Sequence, residues 1–255
     1  MAGLVAGKVA LVTGGGSGIR RAAVLAFVRE GAKVVVSDIV VAGGEETVRM
    51  ARAAGGEAIF VKADVAKAAE VEALVNNVTA TYGRLDCAFN NAGIEGEIRQ
   101  TAKCSEENWD RTIAINLKGM WLCLKYEIPV MLKQSGGAVV NASSTAGLVG
   151  FQGLPAYVAK HGVAGLTKTA ALEYAKSGIR VNAVCPGVIN TPMVERLFSG
   201  RPHWGEAVQA IEPVARMGKP EEVAEAVVWL CSDAASFVTG LTMAVDGGMV
   251  AQVAQ

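Results

Sequence analysis

The residues with the clearest chemical potential form a glycine-rich loop near the start of the chain. A β-branched run over 8–13 leads into TGGGSGI at 13–19, and an apolar pattern with helical spacing follows from Ala23. The backbone N–H groups of such a turn, with the dipole of the following helix, can hold a pyrophosphate. Tight strand-to-helix turns also use glycine for conformational reasons alone. The order of strand, glycine turn and helix favours phosphate binding.

A carboxylate follows this loop at the spacing of a dinucleotide site. Asp38 ends the second β-branched run, 33–38. About 20 residues beyond a glycine loop, a carboxylate can accept hydrogen bonds from both ribose hydroxyls of NAD, and it would repel a 2′-phosphate. An aspartate in this place could instead cap the next helix. Together the two features predict an NAD site.

The elements that must position these residues follow a regular alternation. Segments such as 67–82, 106–133 and 220–232 carry apolar residues at helical spacing. The short β-branched runs between such segments predict strands over 8–13, 33–38, 57–64, 85–93, 137–144, 179–187 and 241–248. Near-continuous apolar strands separated by helices predict an α/β fold, a doubly wound parallel sheet with helices on both faces. Because ligands of such sheets bind at the carboxyl ends of the strands, the site is expected there.

Composition narrows the class of protein. The 255 residues include 24 basic and 24 acidic side chains, and this balance argues against nucleic-acid or anionic-membrane partners. No apolar run approaches the ~18 residues of a membrane span, and the start lacks an export leader. Five cysteines without a CxxC and only two histidines suggest neither disulfides nor a metal site. With no visible linker, we expect one cytoplasmic domain over 1–255 that acts on small molecules.

Several short motifs occur together in a specific order. They are the TGGGSGI loop, Asp64-Val65, Asn90-Asn91-Ala92-Gly93, Asn116, Ser144, Tyr157 and Pro186-Gly187. Each alone is unspecific, but their joint order and spacing resemble the short-chain dehydrogenase/reductase family over essentially the whole chain. The resemblance implies a Rossmann-like fold and a homotetramer. It also implies an oxidoreductase that transfers a hydride between NAD(H) and a secondary alcohol or ketone.

The resemblance also implies a set of cofactor-binding residues. In the family, the positions of Asp64 and Val65 flank the adenine, the NNAG segment walls the cleft, and the stretch 186–191 meets the nicotinamide carboxamide. By itself, NNAG could be a simple turn after a strand. The full implied set is Gly14, Ser17, Gly18, Ile19, Asp38, Asp64, Val65, Asn91, Ala92, Gly93, Tyr157, Lys160, Pro186, Gly187, Ile189 and Thr191.

Four residues are implied to be catalytic: Asn116, Ser144, Tyr157 and Lys160. Tyr157 would be the general acid/base. A tyrosine pKa of ~10 must fall by about 3 units for this role, equivalent to ~4 kcal/mol, and a nearby ammonium is the natural cause. Ser144, with Ser143 as the alternative, would hold the substrate oxygen. Asn116 would interrupt helical bonding and anchor a water of the proton relay.

The glycine motif departs from the family pattern at its last position. The family has a further glycine where this chain has Arg20. In dinucleotide-binding folds that glycine allows the helix to pack closely on the strand. The guanidinium either swings out and pairs with the pyrophosphate, or the side chain holds the helix away and weakens cofactor binding.

The spacing between tyrosine and lysine is also unusual. Lys160 follows Tyr157 by three residues where the family has four, and His161 occupies the fourth position. In an α-helix these positions differ by ~100° in direction and ~1.5 Å in height. A tightened 3₁₀ turn could bring Lys160 to its usual place, and we expect the change to be absorbed before Gly162. His161 could substitute only when protonated, and a solvent-facing histidine is the alternative.

Residues 191–213 occupy the place of a mobile substrate lid in the family. Ordinary amphipathic surface helices are the alternative. Glu95 and Glu97, just after NNAG, would face the same pocket or solvent. The apolar residues of the lid segment suggest a hydrophobic or cyclic alcohol or ketone. They are Met193, Leu197, Phe198 and Trp204.

Two functions of different classes fit these patterns. The first is an NAD-dependent alcohol dehydrogenase or ketone reductase. The second is a catalytically impaired member of the family that binds a dinucleotide or serves as a structural subunit. Arg20 and the short interval between Tyr157 and Lys160 favour the second.

Overall fold

The seven predicted strands all form and lie in one sheet. The computed structural model describes residues 3–153, 155–199, 208 and 212–252. Neighbouring strands pair in parallel in the order β3-β2-β1-β4-β5-β6-β7. Their bounds are β1 (Val9–Thr13), β2 (Lys33–Asp38), β3 (Ala58–Lys62), β4 (Cys87–Asn90), β5 (Gly137–Ala142), β6 (Ile179–Pro186) and β7 (Thr242–Val245).

Helices connect the strands, as the apolar spacing predicts. The segment predicted as one helix over 106–133 is instead divided by a π-helical turn, Ala114–Lys118. Among the described residues, no helix combines the length and apolar character needed to span a membrane. The helices are α1 (Gly18–Arg29), α2 (Val41–Ala53), α3 (Ala68–Tyr82), α4 (Glu106–Ile113), α5 (Gly119–Lys133), α6 (Pro155–Tyr174), α7 (Pro192–Phe198) and α8 (Pro220–Cys231).

The sheet is buried on both faces, which explains its continuous apolar strands. Successive side chains of a strand point to opposite faces. In β1, Ala10 and Val12 pack with α1 and α8, whereas Val9 and Leu11 pack with α3 and α5. The predicted doubly wound α/β fold is therefore confirmed.

The parallel pairing brings the predicted site residues to one edge of the sheet. Thr13 at the end of β1 lies beside Ser37 of β2, and Asn90 at the end of β4 lies beside Asn141 of β5. The Thr13 hydroxyl then accepts hydrogen bonds from the N–H groups of Asn91 and Ala92, at 3.1 and 3.3 Å. The glycine loop and NNAG are held together by these bonds.

A buried carboxyl group lies beneath that edge. Glu127 of α5 is fully buried, and one of its oxygens accepts a hydrogen bond of 2.9 Å from the Asn90 amide. Its other carboxyl oxygen has no hydrogen-bond partner in the described structure. Burial raises the pKa of Glu127 to about 7, and the bond from Asn90 offsets only part of this increase.

Glu127 should therefore make stability depend on pH. Its folded-state pKa lies above its unfolded value, so its contribution to stability is full at low pH. That contribution is lost as pH rises through about 7. The free energy of unfolding, measured with urea, should fall between about pH 5 and pH 8 in the wild type. In Glu127→Gln we expect this fall to be smaller by up to ~3 kcal/mol. The exposed Glu107→Gln is the control. An unchanged pH dependence in Glu127→Gln would contradict this assignment.

Candidate active site

The glycine loop is held in shape by its neighbours. Gly14 has φ +72°, a left-handed conformation that favours glycine. The Arg21 guanidinium donates to the Gly16 carbonyl at 2.5 Å and to the Thr47 hydroxyl at 3.0 Å. That hydroxyl in turn donates to the Gly15 carbonyl at 2.8 Å. The loop is thus tied to α2, and α1 begins at Gly18, immediately after it.

Asp38 contacts the glycine loop and does not cap α2. One carboxylate oxygen accepts the Gly16 N–H and the other accepts the Val40 N–H, both at 2.9 Å. The cap position of α2 is Val40. Since each carboxylate oxygen has a second lone pair, Asp38 can still accept hydrogen bonds from a ligand.

Two cavities open along this edge of the sheet. The outer cavity has a volume of about 420 Å³ and is lined by Gly14, Asp38, Asp64, Val65 and Ala92 among others. The inner cavity has a volume of about 180 Å³ and is lined by Asn91, Asn116, Ser144, Lys160 and Thr191 among others. The residues that line both are Ser17, Arg20, Gly93, Ile94, Met193 and Arg196. The two cavities therefore form one cleft with a shared neck.

Nearly all the predicted cofactor-binding residues line the cleft. Gly18 and Ile19 at the start of α1, with Pro186, Gly187 and Ile189 after β6, line the inner cavity. Tyr157 lines neither cavity, although every other residue of the predicted set lines at least one. A glycine turn, the N-terminus of a helix and a carboxylate at the end of β2 fit a dinucleotide bound across the neck.

Asn116 lies in the π-helical turn between α4 and α5. Its side-chain oxygen accepts the Ile94 N–H at 2.9 Å, and its amide donates to the Ile94 carbonyl at 2.8 Å. The expected interruption of regular helical bonding is present, and π-helical turns frequently mark functional sites. Asn116 thus fixes the backbone that follows NNAG against the inner cavity. The water that it would anchor stays a prediction.

Ser144 and Ser143 follow β5 and both line the inner cavity. The Ser144 hydroxyl oxygen accepts the Ala146 N–H at 3.2 Å, which caps a short 3₁₀ turn. Ser143 donates to the Lys160 carbonyl at 2.8 Å. Ser143 is thus used in holding α6, whereas the Ser144 proton has no acceptor among the described residues.

Lys160 of α6 extends into the inner cavity. Its ammonium donates to the Ala142 carbonyl at 2.6 Å, at the carboxyl end of β5. Burial, with the positive charge of Arg20, lowers the pKa of Lys160 to about 8. The amine is therefore close to losing its proton near neutral pH.

Tyr157 lies in a different hollow. This hollow has a volume of about 190 Å³, and Phe151 and His161 line it together with the tyrosine. The rings of Phe151 and Tyr157 are 5.5 Å apart between centroids. Burial raises the pKa of Tyr157, the opposite of the change that a general base requires. The predicted role of His161 as a substitute for the lysine is likewise not favoured, because His161 is exposed and faces this hollow.

The expected 3₁₀ turn at the start of α6 is wrong. The helix is α-helical from Pro155 to Tyr174, and its face with Val163, Thr167 and Ala170 is buried. The register of that face is kept, as expected, and Lys160 keeps its place in the cleft. Because the interval is one residue shorter than in the family, Ala156 holds the position four residues before Lys160. Tyr157 lies one residue later and so points in a different direction.

Arg20 occupies the neck of the cleft. A Cβ atom added to Gly14 would lie 2.7 Å from a terminal guanidinium nitrogen of Arg20, so the side chain folds across the glycine loop. Helix α1 is not displaced, because Ala23, Val24 and Phe27 remain fully buried in the core. The sequence left two alternatives, a guanidinium that extends outward or a side chain that holds the helix away. The structure has the first, with the guanidinium in the cleft.

A second guanidinium, missed by the sequence analysis, borders the same neck. Arg196 of α7 pairs with Glu95 at 3.0 Å and so joins the lid segment to the chain after NNAG. Burial lowers the pKa of Arg20; the carboxylates of Asp38 and Glu95 oppose this change, and the positive charge of Arg196 adds to it. The Thr191 hydroxyl caps α7 by accepting the Val194 N–H at 3.3 Å. Trp204, predicted in the lid, lies outside the described residues.

Comparison with known proteins identifies the family of the chain. A family model described as enoyl-(acyl carrier protein) reductase matches residues 14–250. Cyclohexanol dehydrogenase of Acinetobacter sp. (strain SE19) is 47% identical over 241 residues, which cover 94% of this chain and 94% of that protein. The chain belongs to the short-chain dehydrogenase/reductase family.

Other members of the short-chain dehydrogenase/reductase family agree with this assignment. The 2,5-dichloro-2,5-cyclohexadiene-1,4-diol dehydrogenase of Sphingobium indicum (strain DSM 16412 / CCM 7286 / MTCC 6364 / B90A) is 45% identical over 249 residues, covering 97% of this chain and 98% of that protein. A crystal structure of levodione reductase superimposes with a TM-score of 0.94 at 39% identity, covering 97% of this chain and 99% of that chain. The predicted family and fold are confirmed. So is the predicted activity: the chain is an oxidoreductase that transfers a hydride between a nicotinamide cofactor and a secondary alcohol or ketone.

Proposed function

We propose that this short-chain dehydrogenase/reductase oxidises a cyclic secondary alcohol with NAD as its cofactor. The observation that carries the proposal is the continuous cleft. Asp38 lies at the outer end, the glycine loop lies at the neck, and Ser144 and Lys160 lie at the inner end. Asp38 would hold the adenosine ribose of a dinucleotide bound along this cleft, and the residues of the inner cavity would hold its nicotinamide.

The residues of the chain would hold the cofactor in three places. Asp38 accepts hydrogen bonds from the ribose hydroxyls, the N–H groups at the start of α1 face the pyrophosphate, and the segment after β6 borders the nicotinamide. The cofactor supplies the hydride acceptor at C4 of the nicotinamide. Arg20, at the neck, adds a guanidinium for the pyrophosphate.

Ser144 and Asn116 would organise the reacting end. The Ser144 hydroxyl donates to the substrate oxygen and fixes its position. Asn116 keeps the wall of the inner cavity in place through its two bonds to Ile94. Tyr157 stays the predicted general acid/base on family resemblance, a role that requires its hydroxyl to reach the inner cavity from the hollow beside Phe151.

The substrate class follows from the size and lining of the inner cavity. Ile94, Ile189, Met193 and Val194 give it apolar walls, and its volume is about 180 Å³. Because the nicotinamide would share this cavity, we infer from its apolar walls a single six-membered ring with one hydroxyl group, whose oxygen would accept the Ser144 proton. Relatives at 47% and 45% identity are named for cyclohexanol and for a cyclohexadiene diol, which supports a carbocyclic alcohol for this chain.

Turnover with purified protein tests the proposal. We expect absorbance of NADH at 340 nm to rise with cyclohexanol and NAD, and a slower rate with a linear secondary alcohol of equal carbon number. NAD should also bind the protein in the absence of an alcohol, and calorimetry measures this binding. Binding without turnover over a panel of cyclic and linear alcohols would contradict the proposal.

Asp38 should determine the choice between NAD and NADP. Its carboxylate would repel the 2′-phosphate of NADP and accept the ribose hydroxyls of NAD. We expect Asp38→Ala to reduce the preference for NAD by at least about 10-fold, as the ratio of kcat/KM values. Asp64→Ala is the matched control, because it removes a carboxylate from the same cavity without removing the one that faces the ribose. An unchanged preference in Asp38→Ala would exclude this role.

A second candidate is a member of the family whose oxidoreductase activity is greatly reduced. The observation that favours it is the position of Tyr157, outside the cavity that Lys160 and Ser144 line. This candidate predicts NAD binding with only very slow oxidation of every alcohol, and the same experiment separates the two.

Two further features are proposed on family resemblance. We propose a homotetramer, which light scattering of the purified protein tests directly. We also propose a cytoplasmic location, supported by five cysteines without paired spacing, four of which are buried as free thiols. Fractionation of cells that express the protein tests this location.

A further inference from the structure

We infer that the amine of Lys160 itself exchanges the proton with the substrate oxygen, a role that family resemblance assigns to Tyr157. The inference deepens the proposed function and rests on it. It is carried by the geometry of α6. The helix directs the lysine into the inner cavity and directs the tyrosine into a separate hollow.

The Lys160 amine lies at the carboxyl end of β5. The Lys160 nitrogen lies 2.6 Å from the Ala142 carbonyl, two residues before Ser144. Both Lys160 and Ser144 line the inner cavity. An alcohol whose oxygen accepts the Ser144 proton would therefore share this cavity with the Lys160 amine, and the proton would pass between them directly or through one water.

No other described group of the inner cavity suits the task. Of the described residues that line it, only Lys160, Arg20 and Arg196 carry an ionisable side chain. A guanidinium does not give up its proton in proteins. Cys185, which adjoins Lys160 from β6, has its pKa raised by burial and so stays a thiol near neutral pH. Lys160 is the remaining candidate.

The charged side chains that line this cavity beside Lys160 are guanidinium groups. Arg20 of α1 and Arg196 of α7 face the inner cavity, whereas no described carboxylate lines it. Burial, with the charge of Arg20, lowers the pKa of Lys160 to about 8. At pH 7 roughly a tenth of the amine is unprotonated, and proton transfer is most efficient when the pKa lies near the working pH.

The reaction balances with this assignment. In alcohol oxidation, the neutral amine takes the hydroxyl proton and becomes an ammonium. The C–H bond of the carbinol breaks with its electron pair, the hydride passes to the nicotinamide, and the C=O bond forms. In ketone reduction, the ammonium returns its proton to the oxygen. The Ala142 carbonyl accepts a hydrogen bond from the amine and orients it throughout.

A pair of variants tests the assignment by turnover. We expect Lys160→Ala to lower kcat by about 1,000-fold, because general acid/base catalysis contributes about 10²–10⁴-fold. Added primary amines should restore part of the rate, in proportion to their unprotonated fraction. Lys168→Ala, which changes an exposed lysine of the same helix, is the matched control and should keep kcat within about 3-fold. Tyr157→Phe should lower kcat far less than Lys160→Ala does.

A direct titration supplies a second readout that does not depend on turnover. Competitive acetylation of the protein between about pH 6 and pH 11, read by mass spectrometry, reports the pKa of each lysine. We expect a pKa of about 8 for Lys160, and the exposed Lys168 of the same helix is the internal control for the labelling. The rate of alcohol oxidation should rise with pH through the same value that the acetylation gives for Lys160.

The outcomes separate the inference from the proposed function. If the wild type turns over alcohols but Tyr157→Phe loses at least about 100-fold, or if amines fail to rescue Lys160→Ala, the inference is overturned and the dehydrogenase stands. An acetylation pKa near the ordinary value for Lys160 overturns it as well. If the wild type binds NAD and oxidises no alcohol, the proposed function fails first, and the inference falls with it.

Discussion

Replacing Ser144 with alanine is expected to lower kcat for alcohol oxidation by about 100-fold, the effect of removing one donor to the reacting oxygen. The Ser144 hydroxyl oxygen accepts the Ala146 N–H at 3.2 Å, and its proton is left to donate to a ligand in the inner cavity. NAD affinity should remain within about 2-fold, because Ser144 faces the substrate and not the outer cavity. Stopped-flow hydride transfer and calorimetric binding separate the two quantities.

A matched variant controls for the lost helix cap. Ser105 caps α4 in the same way, by accepting the Asn108 N–H at 3.2 Å, and it lies outside the cleft. Ser105→Ala should therefore cost a similar ~1 kcal/mol of stability and leave kcat unchanged. Equal kcat values for Ser144→Ala and Ser105→Ala would show that Ser144 takes no part in the reaction.

The second prediction concerns the arginine at the neck of the cleft. We expect Arg20→Ala to weaken NAD binding by about 10–100-fold, because hydrogen bonds to charged groups contribute about 1.5–3 kcal/mol. Adenosine, which lacks the pyrophosphate, should bind the variant and the wild type equally. Calorimetric titration with both ligands measures the difference.

The control for Arg20 lies on the same helix. Arg29 is exposed and pairs with Glu225 at 2.8 Å, far from the cleft, and Arg29→Gln should leave NAD binding unchanged. If Arg20→Ala binds NAD more tightly, then the side chain obstructs the neck and is not a ligand of the pyrophosphate.

Arg20 would also connect the proposed cofactor site with Lys160, the proposed proton acceptor. Its charge contributes to the lowered pKa of Lys160, so its removal should raise that pKa and move the pH dependence of oxidation to higher pH. The same Arg20→Ala variant thus tests binding by calorimetry and electrostatics by the pH profile. These two readouts are independent of each other.

Whether the sequence could place a site residue depended on whether that residue lies at the end of a strand or within a helix. Asp38 ends a strand and Gly14, Asn91 and Thr191 come after strands, and parallel strands bring their carboxyl ends to one edge whatever their order in the sheet. Their meeting in one cleft therefore follows from sequence pattern alone. Lys160, Tyr157 and Arg20 sit on helices, where one residue of shift turns a side chain by ~100°.

The long-range polar contacts had no signal in sequence. The pairing of Arg196 with Glu95 joins residues 101 positions apart, and nothing local to either residue indicates the other. Glu127 lies in a segment predicted to be helical, but its complete burial beneath Asn90 depends on how α5 packs against the sheet. Spacing in the chain contains no information on either contact.

The doubly wound sheet could be predicted from the sequence, because hydrophobic periodicity and turns act over a few residues. The family, and most of the residues that border the cleft, were implied by short motifs that resemble the short-chain dehydrogenase/reductase family. Which member of the shortened pair stays in the cleft was settled by tertiary packing. The buried face of α6 at Val163 and Ala170 sets the rotation of the helix, so Lys160 enters the cavity and Tyr157 turns away. That choice depends on packing energies summed over the whole helix, which no local spacing reveals.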